Sequence, residues 1–254
     1  MSRNCLPILT YHAIDAADSP VSTHPALFLE TLARLIEAGF VGVDLTEWLA
    51  RGRPAVTQGF AVTFDDGLRS IVPGIEVLER LGIPATVFLV TDHVGCENDW
   101  AGQPSWVPRA ATLDWSEVAE LSRRGVAFGS HSRTHRRLDR AAIETVEREL
   151  RGSCDAIETR LGKPCRLLAY PYGASTRAVR GRSRLFDAAF GTRQALACSR
   201  DDHFNLPRVD ACYLRSPRVL DRLVEDRLGP WLAGREAMRS ARRVATSFAA
   251  SGLW

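Results

Sequence analysis

The sequence predicts an α/β domain built on parallel strands. Short apolar runs of strand length alternate with amphipathic helical patterns, and Gly or Pro marks most of the boundaries between them. No internal repeat and no linker divides the chain, so residues 1–254 read as one domain, with a core over about 7–215 and a helical extension over about 216–254.

The elements follow in order. Leu6 to Tyr11 is the first strand, and Pro25 opens a helix with Phe28, Leu32, Leu35 and Ile36 on one face and Gly39 at its end. Phe60 to Phe64 is a second strand running into Asp65-Asp66-Gly67. A helix through Ile75, Leu78 and Leu81 is stopped by Gly82 and Pro84. Thr86 to Val90 is rich in β-branched and aromatic residues, as a strand should be. Thr91 to Ala111 has no period and reads as a long loop, a feature that is often functional in a compact domain. Asp114 and Glu117 form a capping-box pattern for a helix ended by Gly125. Val126 to Gly129 is a strand delivering Ser130-His131. The most regular helix carries Ile143, Val146, Leu150, Cys154, Ile157 and Leu161 at steps of three or four, with Gly162 as its stop. Arg166 to Tyr170 is a strand leading to Pro171-Tyr172-Gly173. Phe186 to Phe190 and Val209 to Leu214 read as further strands, and Val219 to Leu228 as a helix.

Composition bounds the partners. The chain is 45% hydrophobic and 25% charged with a formal charge of +3, and its basic runs are no longer than two residues, which argues against a nucleic-acid partner. The amino terminus has no apolar stretch of signal-peptide length. The six cysteines are scattered without a CxxC pair, and Cys154 lies on an apolar helical stripe, so a reduced, cytoplasmic protein is expected.

Chemistry-bearing residues sit just after predicted strands: His12, Asp65-Asp66, His131 with His135, and Tyr172. Strand ends gather on one face of a parallel α/β barrel, which brings distant positions together. Adjacent carboxylates at the end of an apolar strand are costly to bury unless a cation offsets their charge, although Asp-Asp-Gly is also good turn chemistry. Were Ser130 to cap a helix, His131 and His135 at i and i+4 would share one face, as paired histidines of zinc sites do. Two His and one Asp leave open coordination positions, which a catalytic ion needs.

Taken together, these stretches resemble the polysaccharide deacetylase (NodB-homology, carbohydrate esterase) family. Thr63-Phe64-Asp65-Asp66-Gly67 is similar to its first motif, His131-Ser132-Arg133-Thr134-His135 to its second, and Ala169-Tyr170-Pro171-Tyr172-Gly173 to its third. Pro84-Ala-Thr-Val-Phe88 also fits, and Leu9-Thr10-Tyr11-His12 resembles the branch acting on poly-N-acetylglucosamine. The likeness runs from about Pro7 to Arg208. It implies a distorted (β/α) barrel of about seven parallel strands. It further implies one divalent ion, Zn²⁺ first and Co²⁺, Mn²⁺ or Ni²⁺ as alternatives, held by Asp66, His131 and His135. Asp65 would be the general base toward the attacking water, and the Tyr172 backbone N–H an oxyanion donor with its ring walling the sugar pocket.

The sequence departs from that pattern twice. Ala169 stands where the third motif commonly has Arg, so Arg208 or Asp210 is the candidate partner of Asp65. The late Leu-x-x-His motif that supplies the general acid is missing, which leaves His12, or less readily His203, to protonate the leaving group or bind substrate. His24 and His93 read as loop residues. Trp100, Trp106 and Trp115, on or beside the long loop, could stack on sugar rings or pack as a lid; Trp106 is taken as the substrate contact. The Arg-rich tail from Arg235 to Trp254 could lie against an anionic membrane or be a solvated end. The expected function is hydrolysis of an N-acetyl group on an amino sugar or polysaccharide precursor. The alternatives are an amidohydrolase, deformylase or O-acetyl esterase, and a catalytically silent carbohydrate-binding barrel.

Overall fold

A computed structural model of the chain describes residues 5–236 and 238. Seven strands form its centre: β1 (Ile8–Tyr11), β2 (Gly59–Phe64), β3 (Ala85–Leu89), β4 (Ala127–Ser130), β5 (Leu167–Ala169), β6 (Ala188–Gln194) and β7 (Leu206–Asp210). Each pairs in parallel with the next, and β7 and β1 close the ring. The ring is uneven. β4 and β5 share the single register pair Ser130↔Leu168, and the β6–β7 register shifts between Phe190 and Gln194. This is the distorted (β/α) barrel expected from the resemblance.

Helices surround the barrel: α1 (Pro25–Glu37), α2 (Leu45–Ala50), α3 (Val72–Arg80), α4 (Trp115–Arg123), α5 (Ile143–Leu161), α6 (Arg177–Arg182) and α7 (Pro217–Val224). Their ends obey local rules. Asp114 and Glu117 make a complete capping box on α4, and Gly162 ends α5 in the left-handed conformation at φ 63°. His24 caps α1 by accepting from the Ala26 N–H through Nδ1. α2 and α6 are too short for a helical period to stand out in the sequence. On α1, Ile36 is 41% exposed rather than inward, and Thr31 takes the inner position beside Leu32 and Leu35.

Strand periodicity sorts the core into two layers. Leu9, Val62, Val87, Leu168 and Val209 point outward to the helices, whereas Ile8, Ala61, Phe88, Ala169, Phe190 and Leu206 fill the barrel. Burying each large apolar side chain stabilises the fold by roughly 1.5–3 kcal/mol. The same alternation turns Thr10, Thr63 and Arg208 inward, above the Phe88 and Phe190 rings, with the Arg208 guanidinium 5.6 and 5.9 Å from their centroids.

Two expectations are corrected. Residues 131–137 form no helix; the histidine segment is an irregular turn with Ser132 at φ 64° and His135 at φ 56°. The cysteines are not all free: Cys5 and Cys198 form a disulfide across a two-residue antiparallel ladder. They are 193 residues apart, so no spacing pattern could announce the pair. Among the described residues no helix is long and apolar enough to cross a membrane. Of the Arg-rich tail, Arg235 stands over the Trp231 and Tyr213 rings, and most of the remainder lies outside the described residues.

Candidate metal and catalytic site

The strand ends open into a cavity of about 280 Å³ lined by His12, Asp65, Asp66, His131, His135 and Arg208, with Trp106 and Tyr172 at its wall. β2 delivers the two aspartates, and its last hydrogen bond, from the Asp65 N–H to the Tyr11 carbonyl, fixes where they begin. Asp66 then turns left-handed at φ 70°, followed by Gly67 at φ 65°, so the two carboxylates diverge. Gly67 has a second reason to lack a side chain: a Cβ would lie 2.7 Å from Leu89 Cδ2.

Asp65 faces Arg208. The guanidinium donates to both of its oxygens, at 2.7 Å each, and to Thr63 Oγ1 and the Gly191 carbonyl. Arg208 is 2% exposed. Burial alone would raise the Asp65 pKa, but Arg208, with His131 and His12, outweighs it and holds the carboxyl well below the usual range. Asp210, the other candidate partner, is engaged elsewhere and accepts from the Cys212 N–H at 2.9 Å.

Asp66 faces the histidines. Its Oδ1 lies 3.5 Å from His131 Nε2 and 3.4 Å from His135 Nε2, and the three ligand atoms are within 4.8 Å of one another. That oxygen is buried and has no hydrogen-bond partner. His131 Nδ1 lies 2.7 Å from the Ala169 carbonyl, to which it must donate, so Nε2 presents its lone pair to the same point. A tetrahedral ion with bonds of about 2.0–2.1 Å would set its ligand atoms roughly 3.3 Å apart. The three residues therefore fit a divalent cation in donor type, spacing and tautomer. Burial raises the Asp66 pKa against the pull of His12 and His131, and burial together with His131 lowers that of His135 well below normal.

The turn between the histidines is pinned by groups that were not legible as functional. Glu149 of α5, buried, accepts from the N–H groups of Arg133 and Thr134 at 3.0 and 2.9 Å and from the Thr134 hydroxyl at 2.7 Å. Ser130 Oγ takes the Ser132 N–H, and Ser132 Oγ takes the His135 N–H. The available signal was a glutamate on the mainly apolar buried stripe of α5, between Val146 and Leu150.

The remaining candidates separate. His12 lines the cavity and lies close enough to weigh electrostatically on both carboxylates. Tyr172, at φ 58°, lines the wall 36% exposed, and the following Gly173 leaves no room for a Cβ against Thr192. Trp106 is 57% exposed at the cavity edge. Trp100, in contrast, is 3% exposed beneath His135, and Trp115 opens α4 under Arg160, so neither offers a face to a sugar. His203 is exposed and is not part of the cavity.

The sequence model of the polysaccharide deacetylase family matches residues 53–190, just over half of the chain. The chain belongs to the polysaccharide deacetylase family. Within that family it is a deacetylase-type hydrolase whose substrates are acetylated polysaccharides. Its fold is similar to that of IcaB from Ammonifex degensii, at 21% identity and a TM-score of 0.73 over 89% of this chain and 98% of that one. It is also similar to the Streptococcus pyogenes deacetylase PplD, solved with acetate, at 21% identity and 0.70 over 81% and 92%. A de-N-acetylase from Aggregatibacter actinomycetemcomitans shares the fold at 15% identity and 0.66 over 80% and 94%. No curated protein sequence matches the chain.

Proposed function

We propose that this polysaccharide deacetylase is a cation-dependent N-deacetylase, hydrolysing the acetamide of an amino sugar in a polysaccharide or its precursor. The observation that carries the reading is the convergence of Asp66 Oδ1, unpartnered and buried, with the outward nitrogens of His131 and His135, beside an Asp65 locked to Arg208. De-N-acetylase and acetate-bound deacetylase relatives of the fold support the same chemistry.

Asp66, His131 and His135 would hold the ion, Zn²⁺ first among Co²⁺, Mn²⁺ and Ni²⁺. When bound, a divalent cation supplies polarisation of the acyl oxygen and a lowered pKa for the attacking water. Asp65, kept ionised by Arg208, accepts that water's proton as its oxygen bonds to the acyl carbon. The Tyr172 N–H receives the developing oxyanion. His12 delivers a proton to the departing nitrogen as the C–N bond breaks, leaving acetate and the free amine. Trp106 and the Tyr172 ring flank the sugar.

Acetate release from N-acetylglucosamine oligomers, measured with and without chelator, tests the whole reading. Asp65→Asn should keep its metal and lose turnover; a fully active Asp65→Asn removes the base assignment. A protein that holds no ion and gains no activity from Zn²⁺, Co²⁺, Mn²⁺ or Ni²⁺ is a silent binding barrel instead. His12→Ala should slow turnover and alter the pH profile, and an unchanged profile takes His12 out of the mechanism.

The compartment is a separate proposal. The cytoplasmic placement expected from the scattered cysteines stands against the Cys5–Cys198 bridge, since disulfides persist in oxidising compartments. Membrane contact by the Arg-rich tail stays a proposal, tested by sedimentation with anionic vesicles.

A further inference from the structure

A histidine that ligates a metal normally donates its other ring N–H to a fixed acceptor, which sets the plane of the ring. His131 does so, through Nδ1 and the Ala169 carbonyl. His135 does not: its Nδ1 is buried and has no hydrogen-bond partner. Its backbone is held, because the His135 N–H reaches Ser132 Oγ at 3.1 Å, but that contact leaves the side-chain torsions free. Something else must hold the imidazole.

Ring contacts do. The Trp100 indole lies 4.3 Å from the His135 centroid at 37°, and Tyr172 approaches from another side at 4.7 Å and 62°. The two are not equivalent walls. Tyr172 is 36% exposed, whereas Trp100 is 3% exposed and is braced edge-on by His93 at 5.5 Å. The loop behind Trp100 is rigidly tied: Asn98 donates to the Pro108 carbonyl and accepts from the Ala110 N–H, and Thr112 Oγ1 donates to the His93 carbonyl. An imidazole that gives its lone pair to a cation becomes more electron-poor, and the electron-rich face of an indole then attracts it more strongly. The contact therefore favours the ion-bound state over the free one and does not merely fill space.

We propose that Trp100 is the positioning residue for His135, its tilted ring contact replacing the hydrogen bond that the ring nitrogen lacks. This rests on the reading of Asp66, His131 and His135 as a cation site. It gives the long loop after β3 a second task, since the same segment carries Trp106 to the cavity wall.

The test uses the full-length protein stripped of metal. Zn²⁺ and Co²⁺ affinities are measured by competition with a chromophoric chelator for wild type, Trp100→Phe and Trp100→Leu. Thermal melts of the metal-free proteins report folding. Trp100→Leu should lose roughly 10–100-fold in affinity, the range seen when a supporting partner of a ligand is removed, and Trp100→Phe should lose less because it keeps a ring face. The visible spectrum of bound Co²⁺ should change with Trp100→Leu and return toward wild type with Trp100→Phe. At saturating metal, KM for the oligosaccharide should stay at the wild-type value in both. Wild-type affinity in Trp100→Leu, or a raised KM with unchanged metal binding, overturns the proposal. If Trp100→Leu fails to fold, a Co²⁺ spectrum and affinity for Trp100→Phe indistinguishable from those of Trp100→Met overturn it equally. A wild-type protein that binds neither ion overturns the cation site itself, and this inference falls with it.

Discussion

Arg208 donates to both carboxylate oxygens of Asp65 at 2.7 Å, with both side chains buried at the floor of the cavity. Burying such a pair is costly in itself, and removing one partner strands the other. Arg208→Met is therefore expected to destabilise the fold by about 3–5 kcal/mol and to abolish turnover, as read by chemical denaturation and acetate release.

The pair also sets a pH signature. Because the Asp65 pKa is depressed in the folded state, its pairing stabilises fully above the unfolded value near 4 and is lost as pH falls through the folded one. In Arg208→Met burial is opposed only by His131 and His12, so most of that stabilisation is absent. The stability gap between the two proteins should shrink on acidification below about pH 4. A gap constant with pH would assign the loss to packing alone.

Metal binding should compete with protons. Burial raises the Asp66 pKa, and a cation requires that carboxyl ionised and both imidazoles neutral on Nε2. Zn²⁺ affinity should fall as pH is lowered, with proton release on binding measurable by titration in buffers of different ionisation enthalpy. Asp66→Asn should bind at least tenfold more weakly at every pH.

Glu149 never touches the cavity, yet it satisfies two N–H groups of the turn that carries His135. Glu149→Gln keeps the shape and turns an amide toward donors, so a loss of about 1–3 kcal/mol in stability is expected. Metal affinity should drop with it, and excess Zn²⁺ should restore most of the turnover.

Trp106 is exposed at the cavity edge, where an indole can cover a sugar face. Trp106→Ala should raise KM by roughly fivefold with kcat unchanged, the mark of binding shared by ground and transition states. A fall in kcat instead would place the indole against the reacting group.

Thiol counting in freshly isolated protein decides the redox state. Four reactive thiols under denaturation are expected if Cys5 and Cys198 are joined, and six if the protein stays reduced. Cys198→Ser should lower stability by about 2–4 kcal/mol in the first case and little in the second.

The sequence by itself determined the barrel class and the residues that meet in it. Strand and helix periods are local, and Asp65-Asp66-Gly67, His131 to His135 and Tyr172 each follow a strand whose end must lie on one face. Even the partner of Asp65 could be narrowed to Arg208 or Asp210, because the third motif lacks its arginine. What the sequence left open depends on dihedral angles and on distant neighbours. An i, i+4 histidine pair looks helical until Ser132 and His135 take positive φ, which nothing in their side chains demands and Glu149 enforces from another element. Trp100 and Trp106 are indistinguishable in a period-free loop, and only the folded path buries one under His135 and leaves the other at the cavity edge. Cys5 and Cys198 meet for the same reason, because the closing of the barrel, and no local signal, makes them neighbours.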